Sequence, residues 1–118
     1  AVYNVLGNWV LIHQETGFII WGLTINNRRF IWFHFSSYSS SVIQDGTVVY
    51  TVTNTNYKPT RLVRGIIIAD IYSGSSFRGR AIMDVDYQLD GRVQLWTAQN
   101  SFGLSTGYLH GDIFVPID

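Results

Sequence analysis

Apolar and polar residues alternate in short runs along this chain, and dipeptides that tolerate positive φ separate the runs, a pattern that predicts β-strands. The clearest pair of runs flanks Asn26-Asn27. A two-residue type I′ turn there pairs Leu23 with Phe30, Trp21 with Trp32 and Ile19 with His34, which sets two indoles side by side on one face. Phe18, Ile20, Phe33 and Phe35 fall on the other face, so the hairpin is apolar on both sides. A second turn signal is Asp90-Gly91. Read as a two-residue turn, it pairs Tyr87 with Gln94 and Val85 with Trp96, and sends Asp84 and Asp86 to the opposite face with Val93 and Leu95.

Asp45-Gly46 leads into residues 47 to 53, where Val and Tyr alternate with Thr and a half-exposed strand is expected. Residues 63 to 72 (VRGIIIADIY) predict a central strand buried on both sides. Strands near residues 8 to 14 and 109 to 115 bring the total to about eight, with no helical periodicity. Pro59 and Pro116 fall at loops or strand ends, where a missing N–H is tolerated. The serine-rich stretch 36 to 41 reads as a mobile loop. The prediction is a single all-β domain, residues 1 to 118, built as an antiparallel sandwich or barrel.

Composition sharpens this. The chain carries four Trp, seven Tyr and seven Phe, but only eight basic and eight acidic residues, which cancel. A domain of this size covers only about two-thirds of its unfolded surface, and each aromatic side chain buries about 150 to 250 Å² when hidden. Some rings are therefore expected to line a cavity, a groove or a subunit interface. The neutral balance offers no basic field for phosphates or anionic lipid, so nucleic acid is not an expected partner. No run is long enough to cross a membrane as a helix, and membrane insertion is not expected. Cysteine is absent, which removes disulfides and thiolate chemistry. The Asn-x-Ser/Thr pattern is also absent, since Asn54-Thr55-Asn56 and Asn100-Ser101-Phe102 both miss it.

Candidate chemistry is sparse. His13, His34 and His110 lack metal-ligand spacing, so neither metal nor cofactor is expected; His34 beside the tryptophans is read as hydrogen-bonded, in the core or at a ligand. Asp84 and Asp86 on one strand face can share a cation or act as an acid/base pair, against the plainer reading of a solvated face. Asp70 interrupts an apolar strand and should find a basic partner, with Arg61, Arg64, Arg78 and Arg80 near in sequence. Seven Arg stand against the single Lys58, a bias suited to bidentate contacts and ring stacking. No Gly-x-Ser-x-Gly elbow or comparable signature marks a nucleophile, and a non-catalytic protein is expected.

Gly7-Asn8-Trp9 resembles the Gly-x-Trp opening of lipocalins and avidins, which implies a barrel with Trp9 closing its end. A second resemblance covers more of the chain. Residues 7 to 15 (GNWVLIHQE), Ile66-Ile67-Ile68-Ala69-Asp70 with Gly79 and Ala81, Val93-Gln94-Leu95, and Ser105-Thr106-Gly107 through Phe114 and Val115 resemble the insect family named after multiprotein bridging factor two. Asp84 and Asp86 stand where that family commonly has glycines, and the aromatic hairpin 18 to 35 is an elaboration. The resemblance implies a small, secreted, non-enzymatic protein. The function expected is binding through Trp21, Phe30, Trp32 and His34, either of a small apolar ligand or of further copies of the chain as a homo-oligomer. A glycan-binding, lectin-like protein and a structural or assembly protein are the alternatives.

Overall fold

The computed structural model describes residues 9 to 97 and 105 to 118. Eight strands follow in order: β1 (Trp9–Glu15), β2 (Phe18–Ile25), β3 (Arg28–Ile43), β4 (Val48–Thr51), β5 (Val63–Ser73), β6 (Ser76–Tyr87), β7 (Arg92–Thr97) and β8 (Ser105–Pro116). A single 3₁₀ turn, Thr55–Tyr57, interrupts the strands between β4 and β5. The strands form one antiparallel sheet in the order β1-β2-β3-β8-β5-β6-β7-β4, curled into a half-barrel. Its two edge strands share no backbone ladder. The ring of His13 on β1 instead stacks on Tyr50 of β4, with centroids 3.8 Å apart.

Curling follows from the period-two pattern, because the large apolar side chains recur mainly on one face of successive strands and must share one interior. Phe18 and Ile20 from β2, Phe33 and Phe35 from β3, and Ile67, Met83, Val85 and Leu95 from β5 to β7 are all buried in one continuous cluster. Phe18 and Phe35 stack with centroids 4.4 Å apart. Tyr57 closes one end. Its ring lies where a side chain at Gly22 would have to go, its hydroxyl lies 3.1 Å from Thr24 Oγ1, and its carbonyl accepts the phenolic O–H of Tyr87.

The first hairpin has the expected register. Asn26 and Asn27 take φ of 50° and 65°, and Trp21 faces Trp32, Leu23 faces Phe30, and Ile19 faces His34. The Asp90-Gly91 hairpin departs from expectation by one residue. Gln88 accepts from the Gly91 N–H and donates to the Arg92 carbonyl, and only Gly91 has positive φ, at 96°. This is a turn over Gln88 to Gly91 that ends in a glycine bulge, not a type I′ turn centred on Asp90-Gly91. The pairs become Tyr87 with Val93, Asp86 with Gln94, Val85 with Leu95 and Asp84 with Trp96. A one-residue slip exchanges faces. The expected register would have put both aspartates among Val93 and Leu95, in the core, whereas the observed one keeps them outside.

Three further expectations are corrected. The serine stretch 36 to 41 is not a loop but the middle of β3, which continues to Ile43 through two bulges against β8. Ser36 and Ser37 stand opposite the single residue His110, and Ser37 takes φ of 51° to absorb the extra residue. Residues 47 to 53 contribute only the short strand Val48–Thr51. Finally, β5 is buried on one face alone: Ile66 and Ile68 are 63% and 48% exposed, while Val63, Ile67, Ala69 and Ile71 are interior. Among the described residues, no second sheet covers it.

Candidate functional site

The four residues singled out by sequence, Trp21, Phe30, Trp32 and His34, stand together on the outer face of the sheet. The interior side of the same hairpin is filled by the core, so these rings do not line a barrel cavity. Trp9 joins them. A bulge after Leu11 lets Trp9 pair with Leu23 and Leu11 with Trp21, which brings the Trp9 ring to 6.3 Å from Trp21 and 5.8 Å from Trp32. Trp9 therefore packs against the outside of the sheet and does not close the barrel end; Gly7 and Asn8 lie outside the described residues. From β8, Phe114 stacks on Phe30 at 5.5 Å, and the Arg28 guanidinium lies 5.8 Å from the Phe30 centroid.

Sequence reasoning missed the carboxylate that orders this cluster. Asp112 stands opposite His34 in the β3–β8 ladder. Its Oδ1 accepts the Trp32 Nε1–H at 2.8 Å and lies 2.5 Å from His34 Nδ1. An ionised carboxylate only accepts, so the His34 proton sits on Nδ1. The bond from His34 holds the Asp112 carboxyl below the usual range, against a smaller upward push from burial and with help from Trp32. Nothing in the sequence pairs residues 34 and 112 before the β3–β8 register is known.

A second polar row crosses four strands further along the face. Ser37 Oγ lies 3.4 Å from His110 Nδ1, His110 Nε2 lies 2.9 Å from Asp70 Oδ2, and Arg80 Nε donates to Asp70 Oδ1 at 2.8 Å. Asp70 thus has the basic partner expected of it, and also a histidine on β8 that sequence distance concealed. Burial pushes its carboxyl up, but the bonds from Arg80 and His110 outweigh that and hold it below the usual range.

The aspartate pair shares its outer-face position with Trp96. Asp86 is 5% exposed and accepts from Arg64 Nε at 2.9 Å, which neutralises the one buried carboxylate; Asp84 stays partly exposed. Arg64, Asp84, Asp86 and Trp96 line an open cavity of about 340 Å³. The three histidines are not brought together: His13 points to Tyr50 and Glu15, His34 to Asp112, and His110 to Asp70. Among the described residues, no group of three or more His, Cys, Asp or Glu is arranged to hold a metal ion.

Between and beside these polar pairs the outer face is apolar. Ile82 is 65% exposed and Phe114 51%, and Leu11, Ile66, Ile68, Phe77 and Tyr108 are also open to solvent. The chain matches no protein-family model and no curated protein.

Proposed function

We propose that the protein is a binding protein that works by self-association, a second copy covering the aromatic and isoleucine-rich outer face of its sheet. The observation that carries this reading is the contrast between the two faces. The inner face is filled by its own core, while the outer one leaves Ile66, Ile68, Ile82 and Phe114 in water. Exposed apolar patches beyond a few hundred Å² mark interaction surfaces. With extents of 52 × 25 × 21 Å, the molecule has a long face large enough for the roughly 800 Å² per partner of a standard interface.

Charge favours a like partner. The chain is neutral overall, and on the outer face Asp86 and Asp70 are matched by Arg64 and Arg80, so two copies meet without a strong field of one sign. A small apolar ligand, the other use foreseen for these rings, would have to lie on the open cluster of Trp9, Trp21 and Trp32, because the inner face behind that cluster is filled by the core. An extracellular, non-enzymatic setting, as the family resemblance implies, is compatible with an assembly role.

Sedimentation of the intact chain between about 1 and 100 μM tests the proposal. The expected result is a species heavier than the 13.4 kDa monomer, reduced to the monomer by Ile66→Lys with Ile82→Lys while the far-ultraviolet circular dichroism is unchanged. A wild-type chain that stays monomeric at the highest concentration would overturn it.

A further inference from the structure

A second cavity, of about 380 Å³, opens at the end of the half-barrel where β1, β2 and the 3₁₀ turn meet. It does not share the outer face. Thr24 belongs to the inward-facing set of β2 with Ile20 and Gly22, and Tyr57 is part of the core, so a partner on the outer face leaves this mouth open. Its volume lies at the small end of the range for small-molecule sites.

The lining has an unusual composition: three carboxamides (Asn27, Asn54 and Asn56), the Thr24 and Tyr57 hydroxyls, and one apolar wall from Val10. Arg29 also lines it, but its charge is already matched. Its Nε and Nη2 donate to Asp118 Oδ1 at 2.8 and 2.6 Å, its backbone N–H to Asp118 Oδ2 at 2.8 Å, and its Nη1 to the Asn56 carbonyl at 2.6 Å. The Asp118 carboxyl is held below its usual range by the same guanidinium. The guanidinium is thereby fixed in place, and no acidic side chain lines the cavity. What it presents to a ligand is neutral.

The carboxamides are also underused by the fold. The Asn54 side-chain oxygen accepts the Asn56 N–H at 3.0 Å and so starts the 3₁₀ turn. Among the described residues, the Asn54 NH₂ and the side chains of Asn27 and Asn56 have no hydrogen-bond partner. Each carboxamide offers both a donor and an acceptor, which is the complement of a hydroxyl that also does both. Asn27 and Asn56 are exposed and Asn54 partly so. Carboxamides without partners in the fold, around a concave site whose lining cation, Arg29, is already paired, suit a ligand carrying several hydroxyls, with a less polar edge against Val10.

We propose that this cavity binds a neutral polyhydroxylated ligand of the size of one sugar ring, the terminal unit of a glycan. The site is independent of the self-association surface, and assembly would place several such sites on one particle, raising avidity without new contacts.

The test is a ¹⁵N-resolved NMR titration of the intact protein with glucose, galactose, mannose and N-acetylglucosamine, with sodium sulfate as an anion probe. Saturable shifts with at least one sugar at Thr24, Asn27, Asn54 and Asn56, and none with sulfate, are expected. Asn27→Gly is the informative variant, because glycine keeps the positive φ of the turn while deleting the carboxamide. Asn56→Ala likewise spares the backbone carbonyl that Arg29 uses. Each should weaken sugar binding at least about fivefold, the loss of one hydrogen bond, with the melting temperature little changed. Absence of shifts with all four sugars, undiminished affinity in both variants, sulfate shifts at these residues, or sugar shifts confined to Trp32 and Trp96 would each overturn the proposal.

Discussion

Replacing Gly22 by alanine tests whether the end of the half-barrel is as tightly closed as described. Gly22 sits in the middle of β2, opposite Ile31, and a Cβ there would meet Cε1, Cδ1 and Cζ of Tyr57 at 2.6 to 2.7 Å. Carbon atoms prefer about 3.5 to 4.0 Å, so the ring must retreat by roughly an ångström. Tyr57 has little room to do so: it is buried, its hydroxyl pairs with Thr24, its N–H donates to the Asn54 carbonyl at 3.0 Å, and its carbonyl holds Tyr87. Overpacking of this kind costs about 1 to 3 kcal/mol. Loss of the Thr24 bond adds about 1 kcal/mol. Against this, removing glycine from a strand returns about 0.5 to 1 kcal/mol by restricting the unfolded chain. The clash wins, and a net destabilisation of about 1 to 3 kcal/mol is expected in urea unfolding at 25 °C. A cycle with Tyr57→Leu locates the cause, because the shorter side chain should cost at least about 1 kcal/mol less in the Gly22→Ala background than in wild type. The reasoning is refuted if Gly22→Ala is neutral or stabilising, or if Tyr57→Leu costs the same in both backgrounds.

Tyr87→Phe removes the O–H that serves the Tyr57 carbonyl inside the core and should destabilise the fold by about 1 to 3 kcal/mol, most of it the desolvation of the stranded carbonyl; a change under about 0.5 kcal/mol in the same assay would show that water or another donor takes over. Acid should unfold the protein through its outer-face pairs. The Asp70 and Asp112 carboxyls are held below their unfolded value of about 3.9, so their contribution is present above that value and is lost as pH falls through the lower, folded one. The melting temperature should therefore decline below about pH 4 and decline less in Asp70→Asn with Asp112→Asn. A level melting temperature down to about pH 2.5 in wild type counts against the assignment.

The sequence alone determined most of the local architecture. Strand identity follows from alternation, and the Asn26-Asn27 turn fixes the whole register of the first hairpin, because two adjacent residues with positive φ leave only one way to pair Trp21 with Trp32. Four of the outer-face residues proposed for binding could be named from that turn alone. The Asp90-Gly91 turn shows the limit of such reading. Asp-Gly is compatible with two turn types that differ by one residue, and burial of Val93 and Leu95, a property of the curled sheet, selects the one that keeps Asp84 and Asp86 out of the core.

Tertiary structure alone decided what lies beside each strand and on which side. Placing β8 between β3 and β5 brings Asp112 to His34 and Trp32, and His110 to Asp70, across sequence separations that no local pattern spans. It also decided how the serine stretch is used, since a bulge opposite His110 draws Ser36 and Ser37 into a strand that their composition marks as a loop. Curling turned one apolar face of every strand into a filled core and left the other unpartnered. A period-two pattern says that a strand has two faces. Only the direction of curl says which of them becomes the interior and which is left for another molecule.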